Sequence, residues 1–110
     1  MTTPWGKSTH RSEVAPGIEY HETSSHGGIC LSPERLSEMP ATLKTPSTFY
    51  PAGSPWFEHD LEWCRVVLAF PGVFRDMMVK DAHEFMRAGH PAIYAAFKGE
   101  NRCGVTSAAN

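Results

Sequence analysis

Residues 15–40, APGIEYHETSSHGGICLSPERLSEMP, carry the most informative structural signals in this chain. The step Ala15-Pro16-Gly17-Ile18 predicts a type II turn, because proline fixes φ at the second position and glycine accepts a positive φ at the third. We therefore expect a β-hairpin with strands over 7–14 and 18–24. Its register would give three cross-strand pairs: Ala15 with Ile18, Arg11 with Glu22, and Ser12 with His21.

The second half of this stretch predicts another strand and a helix. Residues 27–31 have the composition of a short strand, and the two glycines at its start would permit a tight turn. Ser32 is a favoured N-cap residue, and Pro33 suits the first position of a helix. We expect this helix to end near Met39-Pro40.

The remainder of the chain predicts a loop followed by helices. Residues 41–54 are rich in Pro, Thr and Ser and are expected to form a long surface loop, anchored in part by Phe49 and Tyr50. Residues 54–70 place apolar side chains at helical spacing, which predicts a central helix with a wide apolar face. After the break at Pro71-Gly72, we expect a helix over about 74–88 and a last short helix from Pro91.

Because strand and helix signals are segregated along the chain, the sequence predicts an α+β fold. We expect a small N-terminal antiparallel sheet of about three strands, packed against three to four C-terminal helices. A length of 110 residues is typical of one domain. The expected organisation is a flexible arm over 1–4, a single α+β domain over 5–99 and a flexible tail over 100–110.

Composition excludes several classes of function. The net charge of −2 disfavours direct nucleic-acid binding, which needs clustered Lys and Arg. The longest apolar run, 66–71, is too short for a membrane span, and the polar residues after Met1 differ from a signal peptide. We therefore expect a cytoplasmic protein. Three cysteines without CxxC spacing favour reduced thiols over a disulfide framework or a zinc ribbon.

The sequence contains weak signals for chemistry. His26-Gly27-Gly28 is similar to the oxyanion loop of some esterases, but the chain has no GxSxG partner motif. No His, Cys or carboxylate set has the spacing of a metal site, so we predict no catalytic residue, no metal and no cofactor. The alternative is a small enzyme or metal-dependent protein with a site assembled by the fold around His21, His26 and Cys30.

A binding surface is better supported than a catalytic site, with the alternative that the aromatic side chains near residues 49–57 fill the core of so small a domain. Aromatic residues flank the proline-rich loop, and acidic residues follow at the start of the predicted central helix. Aromatic side chains beside a polar rim are common in protein-binding patches. The predicted partner-binding residues are Phe49, Tyr50, Glu58, Asp60 and Glu62.

Two stretches, GIEYHETSSHGGICLSPERLSEMP and WFEHDLEWCRVVLAFPGVF, carry a family resemblance. Over about 5–74 the chain resembles an uncharacterised family of small domains encoded by proteobacteria and their plasmids, integrative elements and prophages. The chain is also similar in type to anti-CRISPR proteins and other counter-defence factors. The resemblance implies a non-enzymatic binding protein whose partner is a host or mobile-element protein, such as a CRISPR effector subunit. It implies no catalytic residues.

Overall fold

The computed structural model describes residues 2–46, 53–59 and 62–108. Within these residues the chain forms six strands, four α-helices and two 3-10 turns. The strands are β1 (Thr2–Thr3), β2 (Gly6–Lys7), β3 (His10–Ala15), β4 (Ile18–Glu22), β5 (Gly27–Leu31) and β6 (Trp56–Glu58). The helices are α1 (Pro33–Glu38), α2 (Trp63–Ala69), α3 (Asp76–Gly89) and α4 (Pro91–Ala108), and the 3-10 turns span Ala41–Lys44 and Pro71–Val73.

Two antiparallel sheets form the N-terminal half. Strands β1 and β2 make a small hairpin, and the larger sheet has the strand order β3-β4-β5-β6. The inner face of the larger sheet packs against the helices through the apolar side chains of Ile18, Ile29, Leu31 and Phe57, all of which are buried. The predicted α+β fold, with an N-terminal antiparallel sheet and C-terminal helices, is confirmed.

The predicted turn is confirmed, and the predicted register is partly wrong. Gly17 has φ +82°, as a type II turn requires, and Ala15 pairs with Ile18. Beyond a bulge at Val14, however, Arg11 pairs with His21 and Ser12 with Tyr20. A bulge inserts one extra residue in one strand, so each pair before it shifts by one position.

The predicted strand at 27–31 and the helix start at Ser32 are confirmed. The hydroxyl oxygen of Ser32 accepts a hydrogen bond from the backbone N–H of Arg35, and Pro33 occupies the first turn. The two glycines of the His-Gly-Gly step lie inside β5, where Gly27 pairs with Glu22 and Gly28 with His21. The expectation that they form a turn is therefore wrong.

The expected central helix over 54–70 is wrong in its first half. Residues 56–58 form β6, which pairs with β5, and α2 begins only at Trp63. The aromatic residues at 56 and 57 suit a strand as well as a helix, and the free edge of β5 supplies hydrogen-bond partners that an isolated helix turn would lack. The remaining helix is deeply buried, with five consecutive interior residues from Cys64 to Leu68.

The segments predicted as a flexible arm and tail carry regular secondary structure. Thr2–Thr3 form β1, and α4 extends to Ala108, well past the short helix expected from Pro91. Residues 98–108 contain two glycines but no proline, and glycine weakens a helix without breaking it. The boundaries of the single domain, 5–99, remain a prediction.

A buried arginine anchors the first part of the predicted loop. Arg65 on α2 is 4% exposed, and its Nη1 donates hydrogen bonds to the carbonyl oxygens of Thr45 at 2.6 Å and Leu43 at 3.4 Å. Burial lowers the pKa of Arg65, and neighbouring Glu62 opposes that shift. Arg65 therefore fixes the 3-10 turn at Ala41–Lys44. The predicted anchors Phe49 and Tyr50 lie outside the described residues.

Replacing Arg65 tests this anchor. In Arg65→Met the two carbonyl groups and the buried Glu62 lose their cationic neighbour, so we expect a loss of about 3 kcal/mol in the free energy of unfolding. Urea denaturation measures it. The matched variant Arg75→Met, at an exposed position, should change stability by less than about 0.5 kcal/mol. Equal effects of the two substitutions would contradict the anchor.

We expect His83, at the α3–α4 contact, to make the free energy of unfolding depend on pH. Its Nδ1 lies 2.8 Å from the hydroxyl of Tyr94, and burial, with the positive charges of Lys98 and Arg87, lowers the pKa of His83. His83 is therefore protonated at a higher pH in the unfolded chain than in the folded one. The stability that neutral His83 contributes is lost as the pH falls below about 6.5. We expect His83→Gln to flatten this part of the stability profile. An unchanged slope would contradict the assignment.

Candidate functional site

The predicted acidic rim is not a solvated helix start. Glu58 lies in β6 and is 6% exposed, while Glu62 precedes α2 and is 4% exposed. Phe49, Tyr50 and Asp60 lie outside the described residues. Glu58 and Glu62 therefore do not form an exposed polar rim at a helix start, because β6 and the start of α2 direct them into the fold. The role of the five residues in partner binding remains a prediction.

A cavity of about 410 Å³ lies between the inner face of the sheet and the start of α3. We call it the apolar cavity. It opens to solvent on one side, and its volume lies in the range typical of ligand or side-chain binding pockets. Its lining residues are Val14, Tyr20, Ile29, His59, Trp63, Val73, Phe74, Arg75 and Met78.

Exposed apolar side chains collect around this cavity. Among the described residues, three large hydrophobic side chains are exposed: Val14 at 39%, Val73 at 37% and Met77 at 75%. Val14 and Val73 line the cavity, whereas Met77, in the first turn of α3, is not among its lining residues. Clustered exposed apolar surface marks an interaction site, whereas scattered single residues do not.

The β-bulge positions Val14. A bulge lets two successive residues lean toward one face of a sheet and redirects a side chain at a sheet edge. Here Val14 lines the apolar cavity, and the next residue, Ala15, packs against the core. Sequence alternation alone would have given these two residues opposite faces.

Few polar groups border the cavity. The Nδ1 of His59 donates a hydrogen bond to the carbonyl oxygen of Gly27 at 2.7 Å, which fixes the imidazole ring. A side chain at Gly27 would place its Cβ 2.8 Å from the Tyr20 hydroxyl and 3.2 Å from that nitrogen. The absence of this side chain lets Tyr20 and His59 converge on one wall. Arg75, which is exposed, adds a guanidinium group to the lining of the cavity.

The outer face of the sheet carries a second polar arrangement, centred on His21. This ring is 0% exposed, its Nδ1 lies 3.1 Å from the hydroxyl of Ser8, and its Nε2 lies 3.2 Å from the carboxylate of Glu19. Because a carboxylate only accepts, Nε2 donates to Glu19. Arg11 approaches the same carboxylate at 3.7 Å. The row links the N-terminal hairpin to β3 and β4.

A serine, a histidine and a carboxylate in a row are also the components of nucleophilic catalysis. In this row the histidine ring is fully enclosed and lies 5.7 Å, between ring centroids, from Trp56. The glycine that could have supplied an oxyanion hole, Gly28, is held between β4 and β6 by strand pairing. The arrangement is therefore suited to holding the fold together.

The alternative site residues are separated by the fold. His21 and Cys30 lie on the outer face of the sheet, but His26 is exposed in the β4–β5 turn, where Nδ1 lies 3.2 Å from the Ser25 hydroxyl. In the part of the chain that the structure describes, no three His, Cys, Asp or Glu side chains form a metal-binding group. Burial, together with the charge of Glu19, raises the pKa of Cys30, which disfavours the reactive thiolate.

The residues of the apolar cavity were not predicted as a site. Val73 follows Pro71-Gly72 and lies outside any regular apolar periodicity. Val14 lies at a bulge that no pattern in the sequence indicates. Ser8 and His21 are 13 residues apart in the sequence, so no local pattern indicates their contact. The Pro71-Gly72 break offered a weak sequence signal, because such a dipeptide marks a turn or loop.

Replacing His21 separates a structural role from a catalytic one. His21→Phe keeps the ring but leaves Ser8 and Glu19 without its two nitrogens, so we expect a loss of about 1–3 kcal/mol in the free energy of unfolding. The matched variant His26→Phe, at an exposed position, should stay within about 0.5 kcal/mol of the wild type. Full stability of His21→Phe in thermal denaturation would refute the structural role.

Comparison with known proteins places the chain in a family. A family model described as Domain of unknown function (DUF7007) matches residues 1–109. No curated protein and no solved structure matches the chain. The match confirms the expected uncharacterised domain family and extends beyond the predicted 5–74. The chain therefore belongs to the DUF7007 domain family.

Proposed function

We propose that this protein is a non-enzymatic binding factor that acts by occupying a surface of a partner protein, with the apolar cavity as its anchoring site. Two of the three exposed large hydrophobic side chains of the described residues, Val14 and Val73, line this cavity, and that observation carries the proposal. An apolar opening suits a partner that inserts one large side chain.

The energetics favour such an anchor. Burying a side chain of the size of leucine or phenylalanine contributes about 1.5–3 kcal/mol, and a well-formed pocket concentrates that gain at a few residues. The cavity already exists in the unbound chain, so little ordering is needed before binding. Arg75 at its edge would favour a partner that carries a carboxylate beside the inserted side chain.

The identity of the partner is the finer part of this proposal. We propose a mobile-element protein of proteobacteria that acts in the cytoplasm on a CRISPR effector subunit. Support comes from the family resemblance in 5–74 and from the similarity in type to counter-defence factors. The net charge of −2 favours a protein partner over direct contact with nucleic acid. Within the described residues, no helix combines the length and apolarity of a membrane span.

The alternative of a small enzyme or metal-dependent protein around His21, His26 and Cys30 has less support. The three side chains are not grouped as metal ligands. The two classes differ in stoichiometry, because a surface-occupying factor inhibits one equivalent of its target, whereas an enzyme acts at a small fraction of that amount. Titration of the target against this protein distinguishes them.

A charge placed at the cavity opening tests the proposal. In Val73→Asp a carboxylate lies where the partner side chain would enter, so we expect at least about a tenfold loss of affinity, equivalent to 1.4 kcal/mol or more. Isothermal titration against purified CRISPR effector complexes measures affinity and stoichiometry. Phage plating on cells that carry the same effector measures inhibition.

The matched control is Ala95→Asp, which adds the same charge at an exposed position of α4 outside the cavity lining. We expect wild-type affinity for this variant and wild-type thermal stability for both. Unchanged binding by Val73→Asp would refute the cavity as the anchoring site. Absence of binding to any effector complex would refute the partner and leave the cavity open to test against other proteins.

A further inference from the structure

Strand β3 forms an edge of the larger sheet. Within the described residues, β4 is its pairing neighbour, and the other side of the strand has no partner strand. Residues 10–14 are all exposed. An exposed edge offers a row of backbone N–H and C=O groups to a further strand, so a soluble protein must protect it or use it.

The charges on β3 do not protect this edge against self-association. Charged side chains commonly protect such edges, and charges of one sign would repel a second copy of the chain. Here Arg11 and Glu13, two residues apart, lie on the same face of the strand and have opposite signs. The Arg11 side chain is 64% exposed. Glu13 lies directly opposite Glu19, a like-charge pair, so it would gain from a cation on its other side.

The strand is complementary to itself in one antiparallel register. Successive residues point their backbone groups to alternate sides, so two copies of a strand pair only when opposed residues both have odd or both have even numbers. Three registers of this kind place the two-fold axis near the middle of the strand, at Arg11, at Ser12 or at Glu13. Centring on Arg11 or on Glu13 places identical charges opposite each other, whereas centring on Ser12 places Arg11 opposite Glu13 twice.

We propose that this edge is the binding surface for a second copy of the chain. Two β3 strands pair antiparallel about a two-fold axis at Ser12, and each Arg11 faces Glu13 of the other copy. The two four-stranded sheets become one continuous sheet of eight strands. The interface is isologous and therefore closed, which ends assembly at the dimer.

The dimer also has a consequence for the apolar cavity. The two-fold axis of an in-plane antiparallel pair is perpendicular to the sheet, so the helical layers of both copies lie on the same side. In this register Val14, which lines the cavity, faces His10 of the second copy. Two cavities thus open beside the junction, and a dimer would engage a partner at two points. The dimerisation itself does not depend on the proposed partner.

Charge exchange between two variants provides the test. Arg11→Glu makes positions 11 and 13 both acidic, and Glu13→Arg makes both basic. Sedimentation velocity over a wide concentration range should show a concentration-dependent dimer for the wild type and monomers for each variant alone. An equimolar mixture of the two should restore the dimer, because all cross-strand pairs are then opposite in sign.

Two control variants distinguish a loss of dimerisation from a loss of folding. Glu13→Arg removes the like-charge contact with Glu19, so it should fold at least as well as the wild type while it fails to dimerise. Lys80→Glu reverses a charge at an exposed position of α3 and should leave the dimer intact. A monomeric wild type at every concentration, or a dimer of either variant alone, would overturn the proposal.

Covalent trapping checks the register. In Ser12→Cys the two introduced thiols face each other across the axis, so mild oxidation should give a disulfide-linked dimer on a non-reducing gel. The wild type controls for the native cysteines, and His10→Cys, which faces Val14, should cross-link far less. Equal cross-linking at positions 10 and 12 would refute the Ser12 register.

Discussion

The fold depends on the close approach of the indole of Trp5 to the backbone of Gly28. A Cβ at position 28 would collide with the Trp5 ring and would lie 2.5 Å from the carbonyl oxygen of Phe57. Because glycine leaves this space open, the N-terminal hairpin covers the outer face of the sheet. Trp5 and Trp56 then pack edge to face, with ring centroids 5.5 Å apart. The outer face of the sheet is thereby covered around His21 and Gly28, both of which are buried.

The outer and inner faces of the larger sheet therefore have different roles. On the outer face this coverage encloses His21 between Ser8 and Glu19, so that polar groups which resemble catalytic machinery serve to attach the hairpin. On the inner face the helices bury most apolar side chains but leave a cavity beside the start of α3. The accessible apolar surface, and with it the basis for recognising a partner, is thus found on the helical side.

At the candidate site, the structure predicted from local sequence patterns differs from the structure that the chain forms. Acidic residues followed by an apolar periodicity predicted a solvated helix start, yet residues 56–58 pair with β5 and bury Glu58. Short apolar runs do not distinguish a strand from a helix, and the choice was made by the free edge of β5, which lies far away in the sequence. The cavity residues come from three separate parts of the chain, so no local spacing could indicate them.

Local sequence is enough to predict the α+β class, the turn at Pro16-Gly17, the strand at 27–31 and the capped start of α1. These features follow from φ preferences and local hydrogen bonding, which a few neighbouring residues set. The bulge at Val14, the strand at 56–58, the burial of Glu62 and the apolar cavity arise from contacts between distant parts of the chain. Each of these depends on which distant backbone edge or side chain fills the adjacent space, and packing decides that for the whole chain at once.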